Sequence, residues 1–407
     1  MSSRKDEIKL LILTYVLCAA LFGNLAILSD PIDKKAVYMG VIICIVVLIS
    51  HFVIRKFYPK GDKFLLIFSS ILSIIGIAII YRLKPDEGTK QIIWFIAGII
   101  IYSVFVIVVP NINGLVKYKY IFLAGVIVLM PLAALFGKES YGAKNWVYIG
   151  PIGFQPSEFG KILLVFYLAA ELINYKLEDS GKEHIKKLVI PAAVAMYAIG
   201  FLVIQRDLGS ALIFFGVIVA MLYVGTTKKK YVFISLGLFS VGAVISYKLF
   251  SHVQQRVAIW LDPWADAADK GYQIVQGLYA ISSGGMFGTG LGRGYTDDFV
   301  PVCTSDYVYA AICEEFGMIF GIGVMLLFFL LFYRGIRGAF ITKNRFSQLV
   351  AVGLSCMIAF QTLVIIGGIF AVIPLTGITL PFVSYGGSSM LTIFFALGVL
   401  QKVSEEA

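Results

Sequence analysis

Charge is scarce in this chain: Asp, Glu, Lys and Arg make up 14% of its 407 residues, against about 25% in ordinary soluble domains. With 59% hydrophobic residues and a mean hydropathy of +0.90, that scarcity excludes a soluble globular protein. Cysteine supplies no framework either. Cys18, Cys44, Cys313 and Cys356 fall in apolar runs and only Cys303 lies in a loop, so neither a disulfide scaffold nor a metal-ligand spacing is present. No repeat of solenoid period and no low-complexity tract interrupts the sequence. The glycines from Gly284 to Gly294 follow no strand and precede no Gly-Lys-Ser/Thr, which excludes a nucleotide-binding loop.

What is there instead is a succession of apolar runs. A helix needs about 20 apolar residues to cross a bilayer, and twelve segments read as spans: near 8–29, 36–54, 64–83, 92–109, 118–136, 157–174, 188–205, 209–225, 231–250, 307–333, 348–372 and 384–401. The expected fold is an all-α polytopic membrane protein of about 12 transmembrane helices with one large extracytoplasmic loop. The sixth and eighth segments are short or flanked by charge. The first run follows a basic start but has no small-x-small cleavage site, so it is kept as a span rather than a signal peptide.

The net charge of +10 is not distributed as a nucleic-acid surface. Lys and Arg gather in alternate loops, at Arg55, Lys56, Lys60 and Lys63; at Lys176, Lys182, Lys186 and Lys187; at Lys228, Lys229 and Lys230; and at Arg334, Arg337, Lys343 and Arg345. The positive-inside rule makes these loops cytoplasmic. Both termini then lie in the cytoplasm, and loops 137–156, 206–208, 251–306 and 373–383 face outward. The cytoplasmic loops are too short for a separate soluble domain, so function resides in the membrane or on its outer face.

The outward loops hold the unusual residues. Ser251 to Asp306 is the long polar excursion of the chain, and it ends in an acid just before the tenth span. An Asp costs roughly 2.5–3.5 kcal/mol at a membrane helix centre, so an acid at a helix mouth marks chemistry. Thr304, Ser305 and Asp306 are also all capping residues, and a helix cap is the competing reading. In QPSEFGK, Pro156 suits a first helical turn, and Glu158 and Lys161 share a face about 4.5 Å apart along the axis. They form either an ion pair that locks span six or a charged pair at the mouth of a cavity for a phosphorylated or polar ligand. QRDLGS places Arg206 and Asp207 near the outer interface, with Asp207 also placed as a cap.

In LPFVSYGGSSM, Pro381, Gly386 and Gly387 break the helix, and irregular backbone at membrane depth survives only in protein or beside water. Ser384 and Ser388 are there as cavity donors or as small residues for close helix packing. YQIVQGLYAI, with Gln273 and Gln276, reads as an amphipathic interfacial helix, and Trp260 and Trp264 as interfacial anchors. Glu171, Glu314 and Glu315 lie inside spans, where pairing with interior cations or polar groups would fix the bundle.

Five separated motifs occur in one order: Gly142-Ala-x-x-Trp146 with Gln155-Pro-Ser-Glu-x-x-Lys161; Gln205-x-Asp207-Leu-Gly; Arg256-x-x-x-Trp260-x-x-Pro263 with Tyr272-Gln-x-x-Gln276; Asp306 with Glu314-Glu-x-Gly317; and PFVSYGGSS from Pro381. On these, the chain resembles the SEDS family, the shape, elongation, division and sporulation proteins typified by RodA, FtsW and SpoVE, as a divergent, Gram-positive-like branch. The resemblance makes residues 64–407 the core, including loop 251–306, and residues 1–63 an added N-terminal pair of helices.

The resemblance implies a peptidoglycan glycosyltransferase that polymerises lipid II at the outer face of the bacterial cell membrane, with inversion and with Asp306 as general base. It implies substrate contacts from Lys144, Trp146, Gln155, Ser157, Glu158, Lys161, Arg206, Asp207, Arg256, Gln276, Ser384 and Ser388. Lys144, Lys161, Arg206 and Arg256 are the candidates to stabilise the departing diphosphate. A divalent cation, Mg²⁺ or Mn²⁺, and a class B penicillin-binding protein as partner are further expectations of the family, whereas nucleic acid is not. The family's Asp usually ends a Pro-Glu-x-His-Thr-Asp segment; this chain has Pro301-Val302-Cys303-Thr304-Ser305-Asp306, with Asn145 for a usual Arg and Arg206 for a usual Pro. The alternative is a lipid II flippase, which needs no base but needs cations continuing across to the inner face. Glu171, Glu314 and Glu315 would repel a diphosphate on that path.

Overall fold

The computed structural model describes residues 4–140, 143–150, 152–175 and 181–406. Gly142 of the first motif and Lys176 of the second basic cluster lie outside the described residues. The helices in chain order are α1 (Arg4–Ile27), α2 (Lys34–Phe57), α3 (Phe64–Leu83), α4 (Pro85–Val108), α5 (Lys119–Phe136, entered through a 3₁₀ turn), α6 (Pro156–Leu172), α7 (Gly181–Ile204), α8 (Leu208–Thr226) and α9 (Lys229–Leu249). There follow α10 (Ser251–Leu261), α11 (Tyr272–Gly284), α12 (Thr296–Phe299), α13 (Val308–Ile341), α14 (Arg345–Ile369) and α15 (Gly387–Glu406). Three short antiparallel strands, β1 (Lys138–Ser140), β2 (Ala143–Ile149) and β3 (Ile152–Phe154), pair in chain order between α5 and α6.

Among the described residues eleven helices are long and apolar enough to cross a membrane. The remaining expected span, α6, has only 17 residues and carries Glu158, Lys161 and Glu171. It stands inside the bundle, packed by α5, α8, α14 and α15, so protein rather than lipid receives its charges. Helix α4 begins at Pro85, well before the apolar run near 92. Pro85 at its first position and Asp86 and Glu87 in its first turn are helix-start residues whose polarity concealed the turn from a hydropathy reading.

Helix α3 is apolar on every side because every residue of its most apolar stretch is buried, with α1, α4, α13 and α15 around it. Helix α9 is the opposite, with no buried residue. Large exposed side chains such as Leu13, Phe52, Ile93 and Phe233 face outward from the bundle, as lipid contact requires and water would not tolerate. The protein is a multi-pass membrane protein.

Helix α13 is broken at Gly317, where φ is +84° and ψ is 168°. A broken helix exposes carbonyls on one side and amides on the other, and the glycine-rich segment after α11 satisfies both. Thr289 and Gly290 amides donate to the Glu314 and Glu315 carbonyls at 2.9 Å each, while the Met318 and Ile319 amides donate to the Gly285 and Met286 carbonyls at 2.9 and 3.3 Å. The approach is so close that a Cβ at Gly288, whose φ is +84°, would lie 2.3 Å from the Glu315 carbonyl oxygen. Glycine is thus required there by backbone lying on backbone.

The two acids beside the break are consumed by the same packing. Glu314 accepts from the Tyr295 amide at 2.9 Å, the Thr296 amide at 3.1 Å and the Thr296 hydroxyl. Glu315 accepts from the Gly292 amide at 3.0 Å and pairs with Arg82 Nε of α3 at 2.6 Å. Arg82 also binds Asp297 and the Gly294 carbonyl. This network ties α3, α13 and the loop leading to Asp306 into one piece.

Candidate active site

The segments expected to face outward converge at one end of the bundle around a cavity of about 810 Å³. Its wall draws on the start of α4, the β2–α6 segment, the α7–α8 turn, α10, α11, the turn before α13 and the loop between α14 and α15. Asp306 lies on that wall, half-buried, in the irregular turn just before α13. It is not the helix cap: the cap position of α13 is Tyr307, and no side-chain capping bond is made there. The Asp306 carboxylate accepts from its neighbour Ser305 Oγ at 2.9 Å. Burial pushes its pKa up to about 6, against the opposing effects of the Ser305 hydrogen bond and the Arg256 guanidinium. Gly377, with φ of +67°, brings the α14–α15 loop so near that a Cβ there would lie 3.4 Å from a carboxylate oxygen.

Arg256 faces the cavity from α10. Burial lowers its pKa, and Asp207 and Asp306 act in the opposite sense, so one guanidinium answers two carboxylates. It is held there by its own bond to the Leu375 carbonyl at 3.2 Å, and one turn on Trp260 Nε1 donates to the Ala371 carbonyl at 2.8 Å. The four-residue spacing of Arg256 and Trp260 puts both on the face of α10 that meets this loop. Trp260 is therefore a fastening of α10 to protein, whereas Trp264 is exposed, as an interfacial anchor would be.

Asp207 does cap its helix, accepting from the Ser210 amide at 3.0 Å. Its other oxygen accepts from Ser210 Oγ at 2.9 Å, Gln155 Nε2 at 3.0 Å and Asn145 Nδ2 at 3.4 Å. The acid is 3% exposed and binds the β2–α6 segment to the α7–α8 turn. Arg206 beside it takes φ of +62°, a value barred to proline, so the turn here differs in shape from one built on proline. Its side chain lines the cavity and lies 3.6 Å from the exposed Glu139.

Several expected substrate residues stand elsewhere. Lys144 is exposed and outside the lining; it is Asn145 and Trp146 of β2 that face the cavity. Lys161 is 4% exposed, with its ammonium on Glu158 Oε1 at 2.8 Å and Gln361 Oε1 of α14 at 2.9 Å. Glu158 reaches the lining, and its second oxygen accepts from Thr392 of α15 at 3.2 Å. The pair therefore locks α6 to α14 and α15. Ser157 is buried and outside the lining.

Ser384 spends its hydroxyl inside the fold, donating to the Ser305 carbonyl and accepting from the Leu380 amide at 2.8 Å. Ser388 is buried, its carbonyl accepting from Thr392. Gln276 does not line the cavity, but Gln273, three residues earlier on α11, does. Lys84, Lys90 and Lys270 line it instead of Lys144 and Lys161. So do Glu87 and Trp94 of α4 and Tyr385. The early start of α4, legible in Pro-Asp-Glu, was the signal for the first of these; Lys270 carried no motif at all.

Among the described residues no group of three or more His, Cys, Asp and Glu converges as a metal site. Arg256 already supplies the positive charge that Asp207 and Asp306 face. The described residues form no all-protein cage for Mg²⁺ or Mn²⁺, a cage such ions do not need when phosphate oxygens and water share the coordination.

The family model of FtsW, RodA and SpoVE, described as a cell cycle protein, matches residues 62–407. The chain belongs to that family. Within it, the chain is similar to the peptidoglycan glycosyltransferase RodA of Mycobacterium tuberculosis, 35% identical over 380 residues that cover 88% of this chain and 81% of the relative. It is similar also to stage V sporulation protein E of Bacillus subtilis, 36% identical over 283 residues covering 69% and 75%. Among solved structures, a peptidoglycan synthase complex of polymerisation and crosslinking contains a chain matching with TM-score 0.70 at 24% identity, over 84% of this chain and 97% of that one. The rod shape determining protein RodA of Thermus thermophilus matches with TM-score 0.63 at 24% identity, over 84% and 96%. These two likenesses establish the family fold for the bundle described above.

Proposed function

We propose that this protein polymerises lipid II into glycan strands, with Asp306 as the general base at the cavity mouth. Family membership and the relatives named as peptidoglycan glycosyltransferases carry the activity class: the protein is a glycosyltransferase of peptidoglycan synthesis. The observation that carries the mechanism is a carboxylate with a pKa of about 6 on the wall of a cavity lined by cations. At neutral pH such a group is ionised yet basic enough to take a proton, which suits a general base.

The 4-hydroxyl of the acceptor sugar gives its proton to Asp306 as its oxygen attacks the anomeric carbon of the donor. The bond to the polyprenyl diphosphate breaks on the opposite face, and configuration inverts. Negative charge then grows on the leaving diphosphate. Arg206, Arg256, Lys84, Lys90 and Lys270 surround the space in which it grows, and fixed cations in a site screened from water lower that cost. No step is routed through a metal ion.

The flippase reading finds less support. Lys161 is bonded to Glu158 and Gln361, Thr392 to the other oxygen of Glu158, and Glu314 and Glu315 are committed to the glycine-rich segment and Arg82. No file of cations continues inward from the cavity among these groups. The charge pattern supports cytoplasmic termini, so the cavity opens outward, where a class B penicillin-binding protein would receive the product strand. Residues 1–63 are the added pair of helices.

The test is polymerisation of labelled lipid II by the purified protein. Asp306→Asn should abolish product while leaving detergent stability intact; retained polymerisation removes Asp306 from the mechanism. Scrambling of lipid II by protein-bearing vesicles without polymerisation would favour the flippase.

A further inference from the structure

The turn that carries Asp306 belongs to no helix or strand, so something outside it must fix its position. Thr304 sits two residues before the acid and is 4% exposed. Its carbonyl accepts from the Tyr385 amide at 2.9 Å, and its hydroxyl donates to Glu87 Oε2 at 2.6 Å. The next residue, Ser305, gives its carbonyl to Ser384 and its hydroxyl to Asp306. A path of direct bonds therefore runs from the first turn of α4, through Thr304 and the adjoining backbone, to the reacting acid.

We propose that Glu87 is a positioning residue for Asp306, holding the Thr304 hydroxyl and with it the turn from which the acid projects. The proposal rests on Asp306 being the general base. Glu87 occupies the third helical position of α4, where the dipole favours a carboxylate. Its other oxygen lies 3.7 Å from Lys84 Nζ, a half-exposed pair that contributes little. The bond to Thr304 is short, charge-assisted and buried at its donor end, and bonds of that kind are the stronger class. The groups that act on the Asp306 carboxyl are Ser305 and Arg256, not Glu87. Glu87 thus acts on the acid by placing it, not by tuning its charge.

The experiment compares polymerisation rates and pH profiles of Glu87→Ala, Glu87→Gln, Thr304→Val and the double variant Glu87→Ala/Thr304→Val. Glu87→Ala should lower kcat about tenfold or more, the scale on which misplacement of a reacting group acts, with KM and the acid limb of the profile little changed. Glu87→Gln keeps an acceptor and should restore most of that loss. Thr304→Val should resemble Glu87→Ala, and the double variant should be no worse than either single one, because both break the same bond.

A Glu87→Gln as poor as Glu87→Ala, additive losses in the double variant, or a Glu87→Ala with unchanged kcat each overturn the proposal. If Glu87→Ala does not fold, Thr304→Ser against Thr304→Val carries the same comparison, since Ser keeps the hydroxyl. Asp306→Asn separates the two failures. If it is active, the base assignment falls; if it is inactive while the Glu87 series shows no effect, only the positioning role falls.

Discussion

Arg256 of α10 and Asp306 of the turn before α13 act on each other's charge, and the guanidinium restrains a carboxyl that burial drives upward. The proposed base catalysis beside a leaving diphosphate needs both in their charged forms. The ionised acid is the minor form below about pH 6, the value to which its pKa is raised. Polymerisation should fall as pH is lowered through 6. Arg256→Gln removes one restraint, so the acid limb should move to higher pH; a limb that stays in place detaches Arg256 from the acid.

The same raised pKa has a stability consequence of opposite sign to the usual carboxylate case. The folded protein holds the Asp306 proton more tightly than the unfolded chain does, so this group favours folding at low pH and loses that favour as pH rises from about 4 to 6. Asp306→Asn should therefore be no less stable than the parent at pH 7.5, with a gain of up to about 2 kcal/mol after allowance for the open side of the cavity. Thermal unfolding in detergent at pH 5 and 7.5 measures it.

Lys161 is expected to matter for stability before it matters for substrate. Removing one partner of a buried pair strands the other and costs roughly 3–5 kcal/mol, so Lys161→Met should lower the unfolding temperature markedly. Adding Glu158→Gln should recover much of the loss. Unchanged thermal stability in Lys161→Met, with weakened lipid II binding, would return Lys161 to the substrate.

Cation placement gives a contrast between lysines that line the cavity and one that does not. Lys90→Ala and Lys270→Ala should each raise KM for lipid II several-fold, more at low salt than at high, because the charges face a partly enclosed cavity. Lys144→Ala, on the exposed face of β2, should leave KM near the parent value. The reverse ranking would mean that the lipid headgroup approaches along β2.

Gly288→Ala probes the seam between the glycine-rich segment and α13. A Cβ there would meet the Glu315 carbonyl oxygen at 2.3 Å, and φ is +84°. Loss of about 1–3 kcal/mol is expected from strain alone, with polymerisation reduced because the loop before Asp306 is displaced. Full stability in this variant would show that the segment can lift from α13 without consequence.

Hydropathy made the spans legible because lipid and protein interior both take apolar surface, and its signal was weakest where polar residues enter a helix. Helix α6 is buried with its charges, and α4 begins in a polar turn that apolar counting passes over. Asp306, Arg256, Arg206 and Asp207 could be found from motif and position. The division of labour among the rest could not, because nothing in the sequence says that Asn145 and Trp146 meet the cavity while Lys144 beside them stays out of it. Nor does it say that Lys161 is buried against Glu158 and Gln361 while the exposed Lys90 lines the cavity. The glycines from Gly284 to Gly294 announced close backbone approach, but the sequence held no sign that the backbone approached was the broken α13.

That break divides the mechanical boundary of the bundle from its hydropathic one. Residues from Val308 to Phe316 are continuous in sequence with a membrane helix, yet the Glu314 and Glu315 carbonyls and the Glu314 carboxylate are bonded to the outer cover, and Glu315 joins that cover to Arg82 of α3. The cover grips both sides of the break, its amides on the Glu314 and Glu315 carbonyls and its carbonyls on the Met318 and Ile319 amides, so a load applied to it reaches the stub that follows Asp306 and the head of the longer part of α13 together. A partner pressing on the cover would press on the turn that carries the acid, and Glu87 of α4 and Arg82 of α3 are the anchors that resist it.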